Sequence, residues 1–125
     1  MKASIGNQEF PLLEKNIYLW LKNWEHSRMI IYVDIDETIC FTPNSRDYSL
    51  AEPYLDKIQK INNLYDQGHE IIYWTARGRV TKIDWYKVTK NQLDSWGAKY
   101  HKLDVTTKPH YDLLICDKTK RIEEV

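Results

Sequence analysis

Hydrophobic residues recur along this chain in two spacings, one typical of amphipathic helices and one typical of buried strands. Apolar positions three and four residues apart predict helices over three segments: Leu12 to His26, Pro53 to Gly68, and Thr81 to Gly97. Short unbroken apolar runs predict strands over four others: Met29–Val33, His69–Thr75, Tyr100–Leu103 and Tyr111–Cys116. Thr81 and Asp84 resemble a capping box at the start of the third helix.

The alternation of strands and helices predicts an α/β fold. Helices between strands imply right-handed crossovers, and hence a three-layer, Rossmann-like, mostly parallel sheet with helices on both faces. The 125 residues suffice for one domain. We expect a helical extension over residues 1–27 and a core over residues 28–125, with no room for a cap domain.

Composition and charge limit the kinds of molecule that this protein is expected to bind. The net charge is zero, which argues against a broad surface for nucleic acid or an anionic membrane. No apolar run is long enough to span a bilayer, and Met1 to Phe10 lacks the core of a secretory signal, so we expect a cytoplasmic protein. Cys40 and Cys116 are expected to be free thiols.

Polar side chains cluster where the predicted strands end. In an open α/β sheet this edge binds ligands. Asp34 and Asp36 are two residues apart and would share a face, where two carboxylates repel unless a cation such as Mg²⁺ intervenes. Four further candidate residues follow the later strands: Thr75, Arg77, Lys108 and Asp117. The first three carry hydrogen-bond donors suited to phosphate oxygens. Acids, a metal and facing donors describe a phosphoryl-transfer site.

These residues carry a family resemblance. The run from Val33 to Thr38, an apolar strand ending in Asp-x-Asp-x-Thr, resembles the first motif of the haloacid dehalogenase (HAD) superfamily. Thr75 and Lys108 resemble its second and third motifs, and the run from Tyr111 to Asp117 resembles the fourth. The Trp-Thr-x-Arg and Lys-Pro sequences are also similar to capless HAD proteins of bacterial capsule and surface-polysaccharide loci.

The resemblance implies a Mg²⁺-dependent phosphatase in which Asp34 is the nucleophile and forms an aspartyl-phosphate. Asp36 would be the general acid and base, and Thr75 and Lys108 would stabilise the transferred phosphoryl group. Arg77 and Thr38 are expected to contact the substrate. The metal would be held by Asp34, Asp36 and Asp117. A small phosphorylated metabolite, a sugar phosphate first, is the expected substrate.

Two departures from the family pattern keep alternatives open. Cys116 stands where an acid is common in the fourth motif, which leaves Asp117 to hold the metal or implies a catalytically inactive module used for assembly. Glu37 stands where Gly is commonest, which leaves room for a phosphoprotein or nucleic-acid end as substrate. The aromatic helix from Leu12 to His26 is a candidate element for a homodimer or higher oligomer.

Overall fold

The computed structural model describes residues 28–45, 47–109 and 111–125. The predicted helix from Leu12 to His26, with its suggested role in a dimer, lies outside the described residues. No helix in the described ranges is long and apolar enough to cross a membrane.

The described chain alternates short strands and helices. In chain order its elements are β1 (Ile30–Asp34), β2 (Cys40–Phe41), a 3₁₀ turn (Tyr48–Leu50), β3 (Glu52–Pro53), α1 (Leu55–Asp66), β4 (Glu70–Trp74), α2 (Tyr86–Ser95), β5 (Lys102–Asp104) and a second 3₁₀ turn (Ile122–Glu124). The α/β class, three of the four predicted strands and both helices within the described residues are therefore confirmed, with boundaries moved by a few residues.

The main sheet has three parallel strands in the order β1-β4-β5. In the register, Asp34 lies opposite Trp74 and Trp74 lies opposite Asp104, so the three strands end level with one another. Strands β2 and β3 form a separate antiparallel pair beside the turn that follows β1. The level strand ends bring residues from three distant parts of the sequence to one edge.

The hydrophobic core is centred on β4, the middle strand. Ile71 and Tyr73 are fully buried, as expected for a strand with neighbours on both sides. Ile58 and Ile61 of α1 and Leu93 of α2 join the same buried cluster, which gives each helix one apolar face toward the core.

The second helix begins later than the sequence predicts. The capping box does not form: Asp84 accepts a hydrogen bond from the Tyr86 amide, and Thr81 accepts one from the Ile83 amide, within the loop itself. Both side chains therefore stabilise local turns, and α2 starts at Tyr86 with no side-chain cap.

The strand predicted at Tyr111–Cys116 is absent from the described structure, where these residues carry no regular secondary structure. All six are exposed, including Ile115 at 86%. As a result β1 is an edge strand of the described sheet, with Ile30 exposed at 64%. The sheet thus has fewer strands than the sequence predicts.

Candidate functional site

A tight turn after β1 positions the two neighbouring acids. The amides of Thr38 and Ile39 both donate to the carbonyl of Ile35, at 3.1 and 3.0 Å, so the chain reverses directly after the strand. Glu37 adopts a positive φ of 61° in this turn. A left-handed backbone costs a residue with a Cβ about 1–2 kcal/mol, which gives a physical reason for glycine at this position in similar sequences.

A cavity of about 320 Å³ opens at the level strand ends. It is lined by Asp34, Asp36, Tyr48, Thr75, Ala76, Arg77, Gly78, Val80, Thr81, Ile83, Trp85 and Lys108. All four residues predicted to be catalytic are in this set, so the structure brings Asp34, Asp36, Thr75 and Lys108 together.

Lys108 forms an ion pair with Asp34 across this cavity. Its ammonium nitrogen lies 2.5 Å from Oδ1 of Asp34 and 5.6 Å from the centroid of the Trp74 ring. Lys108 is only 6% exposed, which is rare for a lysine without a charge partner. Oδ1 of Asp34 also accepts from the Ile35 amide, whereas Oδ2 has no hydrogen-bond partner among the described residues. One oxygen of Asp34 is thus oriented and the other is available.

The turn that delivers Lys108 is organised by Asp104, the last residue of β5. Its carboxylate accepts from the amides of Thr106 and Thr107, at 3.0 and 3.1 Å, and from the Thr107 hydroxyl at 2.6 Å. The Thr107 hydroxyl contributes most to lowering the pKa of Asp104 below its ordinary value. An ionised Asp104 therefore holds the backbone of the turn that leads directly to Lys108.

Arg77 is bound to Asp36 and buried, with 2% of its surface exposed. Its Nε lies 3.1 Å from both carboxylate oxygens, and its Nη2 lies 2.8 Å from Oδ1. The remaining N–H groups reach Thr89, Gln92 and the sulfur of Cys40. Arginine has five N–H donors, and here each one has an acceptor. Arg77 lines the cavity with all of these donors engaged by protein acceptors, and its contact with substrate stays a prediction.

Thr42 and Cys40 complete the surroundings of Asp36. The Thr42 hydroxyl lies 2.6 Å from Oδ1 of Asp36, and the Thr42 amide donates to the side chain of Glu37. Burial, aided by the negative charge of Asp36, raises the pKa of Cys40 to about 11. Cys40 is therefore a neutral thiol at physiological pH rather than a nucleophile.

Thr75 is the first residue after β4 and is 1% exposed. Its hydroxyl accepts from the Arg77 amide at 3.2 Å and lies 3.4 Å from Oδ2 of Asp36. The hydroxyl is thus held at the cavity wall beside the second acid.

The loop from Ala76 to Trp85 forms the far wall of the cavity and depends on Gly78. Gly78 has a φ of 79°, and a Cβ there would lie 2.0 Å from the carbonyl oxygen of Ile83. Val80 and Ile83 are exposed on this loop, and Trp85 packs edge-to-face on Tyr48 at 5.1 Å between ring centroids. The cavity therefore has one charged side and one apolar, aromatic side.

Two predicted site residues lie elsewhere. Within the described residues, neither Thr38 nor Asp117 lines the cavity, and Asp117 is exposed in a turn beside Cys116. Nor does the described part of the chain contain a group of three or more His, Cys, Asp and Glu side chains arranged to hold a metal ion. Of the three predicted metal ligands, Asp34 and Asp36 line the cavity, and the role of Asp117 stays a prediction.

The pair still suits a magnesium ion. Mg²⁺ is commonly held by one or two carboxylates together with water and substrate phosphate oxygens. Oδ2 of Asp34 is available, whereas the Asp36 carboxylate is occupied by Arg77. A magnesium ion would therefore be held by Oδ2 of Asp34, with water and phosphate oxygens as further ligands, and the resemblance adds the backbone carbonyl of Asp36.

Sequence reasoning missed three residues that shape the site. Thr42, Gln92 and Asp104 act through hydrogen bonds to residues distant in sequence or to their own turn. Only Asp104 carried a signal, because an acid at the end of a strand, two residues before a pair of threonines, is typical of an Asx turn.

A second, more open concavity of about 540 Å³ lies near the carboxyl end of α2. Its two ammonium groups already pair with acids, Lys90 with Asp94 and Lys99 with Asp66. The hydrogen bond from the Tyr100 hydroxyl, together with that from Lys90, lowers the pKa of Asp94. These surface pairs stabilise little and offer no convergent set of ligands.

No protein-family model matches the sequence, and no curated protein matches it. Among solved structures, the fold is similar to that of a crystallographic target protein from Vibrio cholerae, with a TM-score of 0.68 and 27% sequence identity. The match covers 78% of this chain and 86% of the other. That protein bears no functional name, so the similarity supports the α/β fold and leaves the chemistry to the residues themselves.

Proposed function

We propose that this protein is a Mg²⁺-dependent phosphomonoesterase of the HAD type, with Asp34 as its nucleophile. The observation that carries the proposal is the convergence of Asp34, Asp36, Thr75 and Lys108 on one cavity at the carboxyl ends of three parallel strands. A nucleophilic carboxylate, a second acid and facing donors are the parts that phosphoryl transfer requires.

In the first step, Oδ2 of Asp34 attacks phosphorus while the bond from phosphorus to the leaving oxygen breaks. Asp36 gives its proton to that oxygen, so the product leaves as an alcohol. Thr75 donates to a phosphoryl oxygen, and Lys108 offsets the negative charge between Asp34 and the phosphoryl group. The result is a phosphoryl group covalently bound to Asp34.

In the second step, water attacks the same phosphorus and the bond to Asp34 breaks. Asp36, now ionised, takes a proton from the water, and inorganic phosphate is released. Each residue thereby returns to its starting state. When bound, Mg²⁺ supplies positive charge to the phosphoryl oxygens and so lowers repulsion with the nucleophile.

Charge balance supports the need for a divalent cation. Asp34 is paired with Lys108 and Asp36 lies against Arg77, so with the Asp36 proton that the first step requires, the four side chains carry one net positive charge. A phosphate monoester dianion would outweigh this single charge in a partly buried cavity, which is costly without a counter-ion. A divalent cation offsets the excess negative charge.

A small phosphorylated metabolite, such as a sugar phosphate, is the favoured substrate. The cavity has room for one phosphate group and a modest leaving group, and its apolar side, with Val80, Ile83 and Trp85, suits the ring of a sugar. The choice of a sugar phosphate follows from the sequence resemblance to capless HAD proteins of surface-polysaccharide loci.

The proposal extends to the fold of the active protein, in which the run Tyr111–Cys116 joins the sheet. Within the described residues, the exposed edge of β1 and the exposed apolar run Tyr111–Cys116 are two unpaired β-type surfaces. We infer that this run pairs with β1 when metal and phosphate bind. That pairing would bring Asp117 to the carboxyl edge, beside Asp34, and complete a three-layer HAD-like fold without a cap.

The test is hydrolysis of p-nitrophenyl phosphate with and without Mg²⁺. We expect turnover in Mg²⁺, none in EDTA, and none in Asp34→Asn, while Asp117→Asn raises the Mg²⁺ concentration needed for half-maximal activity. Full activity of Asp34→Asn would reject Asp34 as nucleophile. Sugar phosphates assayed against phosphopeptides and 3′-phosphorylated oligonucleotides would then separate a metabolite substrate from a macromolecular one.

The exposed position of Asp117 favours one second candidate, an inactive HAD module used for assembly. Inertness of the wild-type chain toward a broad panel of phosphate esters, with several divalent metals, would select this candidate.

A further inference from the structure

We propose that Arg77 and Thr42 together hold Oδ1 of Asp36, so that Oδ2 is the oxygen that exchanges the catalytic proton. Arg77 is then a positioning residue that acts through Asp36. This inference rests on the proposed phosphatase function and deepens it, because it assigns the proton transfer to one atom.

The two oxygens of Asp36 are in different surroundings. Oδ1 lies 2.6 Å from the Thr42 hydroxyl, 2.8 Å from Nη2 of Arg77 and 3.1 Å from Nε of Arg77. The Cys40 thiol, 3.7 Å away, is a further donor to the same oxygen. Oδ2 has only the shared Nε of Arg77 at 3.1 Å and the Thr75 hydroxyl at 3.4 Å. Donors therefore crowd Oδ1, whereas Oδ2 has room for a proton.

The residues that line the cavity lie on the Oδ2 side of Asp36, which agrees with this assignment. Thr75 lines the cavity and lies beside Oδ2, whereas Thr42 and Cys40 do not line it and lie beside Oδ1. A leaving oxygen bound in the cavity would accordingly approach Oδ2. Its proton would pass from Oδ2 as the bond to phosphorus breaks, and Oδ1 would keep its hydrogen bonds through both steps.

Arg77 is itself held rigidly enough to act as this support. Its Nη1 donates to Thr89 at 3.2 Å and to Gln92 at 2.6 Å, both on α2, and its guanidinium stacks 4.9 Å from the Tyr48 ring centroid. Gln92 in turn donates to the Tyr48 carbonyl at 2.6 Å. The planar guanidinium meets acceptors on three sides, and an ammonium group could not reproduce that geometry.

The leaving group provides the test. Protonation by Asp36 matters greatly for an alkoxide leaving group and little for p-nitrophenolate, which leaves without help. For Arg77→Met we expect kcat/KM, which reports formation of the phosphoryl-enzyme and not its later hydrolysis, to fall by roughly 100-fold on an alkyl phosphate such as glycerol 2-phosphate. On p-nitrophenyl phosphate the fall in kcat/KM should be below about 5-fold, with the inhibition constant for inorganic phosphate nearly constant. Adding Asp36→Asn to Arg77→Met should cost little more on the alkyl substrate, since the two residues act as a unit.

Thr42→Val guards against a folding failure of the Arg77 variant, because it removes one hydroxyl from a less buried position. It should show the same selectivity for the alkyl substrate with a smaller loss, roughly 10-fold. Arg121→Met, at an exposed arginine far from the cavity, is the control for loss of positive charge. Circular dichroism melts of each variant report on folding.

Equal losses on both substrates would overturn the assignment, as would a rise in KM and in the inhibition constant for inorganic phosphate, which would make Arg77 a phosphate ligand. If the wild-type chain hydrolyses neither substrate, the phosphatase proposal itself fails. If the wild type is active and Asp34→Asn is inert, only the role given to Arg77 and Thr42 is at stake.

Discussion

Lys108 and Asp34 are 74 residues apart in the sequence, yet their charged groups lie 2.5 Å apart at the mouth of the cavity. The two residues come from different parts of the sheet: Asp34 ends β1, and Lys108 follows β5, which lies two strands away. Their pairing depends on the level register of the three strands and on the turn at Asp104.

The first prediction concerns Lys108. Lys108→Met should lower kcat/KM for p-nitrophenyl phosphate by roughly 100- to 1,000-fold, because it removes a buried positive charge from the developing phosphoryl group. Lys87→Met, at an exposed lysine of α2 that does not line the cavity, is the matched control. Steady-state kinetics in saturating Mg²⁺ measures the loss. An Lys108→Met enzyme within 3-fold of wild type would contradict the role given to this residue.

The second prediction is a pH dependence of stability. The pKa of Asp104 is lowered in the fold, so its hydrogen bonds stabilise the protein above the ordinary carboxyl pKa. That stabilisation is lost as pH falls through the folded pKa. Thr107→Val should therefore lower the free energy of unfolding at pH 7, by less than about 1 kcal/mol for this partly exposed group, and have little effect near pH 2.

Urea denaturation at both pH values measures the difference. Thr106→Val is the matched control, because the Thr106 hydroxyl lies 3.5 Å from Asp104 whereas that of Thr107 lies at 2.6 Å. An equal effect of the two substitutions, or an effect of Thr107→Val that persists in acid, would count against the interpretation.

The third prediction compares two glycines. Gly78→Ala adds a Cβ 2.0 Å from a backbone oxygen at a φ of 79°, so the cavity wall must shift. We expect a loss of stability on the order of 1–3 kcal/mol together with a large loss of phosphatase activity. Gly97→Ala meets nothing within 4 Å at a φ of 74°. It should cost about 1–2 kcal/mol of stability and leave kcat unchanged. Comparable activity of the two variants would argue against a role for the loop.

The fourth prediction concerns the two cysteines. Cys40 is buried with a pKa raised to about 11, whereas Cys116 is exposed. Iodoacetamide at pH 8 should therefore alkylate one site in the native protein, and Cys116→Ser should abolish labelling. If Tyr111–Cys116 pairs with β1 on ligand binding, Mg²⁺ with fluoroberyllate should slow the alkylation of Cys116. An unchanged rate would reject that pairing.

Sequence patterns predict the strand ends well and their surroundings poorly. The apolar runs before Asp34 and Thr75 are dense enough to locate β1 and β4, and the rule for strand ends then brings Asp34, Thr75 and Lys108 together. The pairing of Arg77 could not be predicted, because a free and a fully paired arginine have the same local sequence. Its acceptors on α2 come from tertiary packing.

The run Tyr111–Cys116 is the opposite case. Its composition is that of a buried strand, yet the described structure leaves it exposed. An apolar run indicates that a segment can form a strand. Whether it does so depends on which other segment occupies the sheet edge beside it.

The level ends of the three strands carry a consequence for how function arises during folding. Joining Asp34 to Lys108 closes a loop of 74 positions, whose entropy must be overcome before their attraction contributes. The proposed catalytic group thus forms only once β5 pairs with β4, because Lys108 follows β5. Any turnover should therefore reappear during refolding no earlier than this pairing, and a fragment that lacks Lys108 should not possess it.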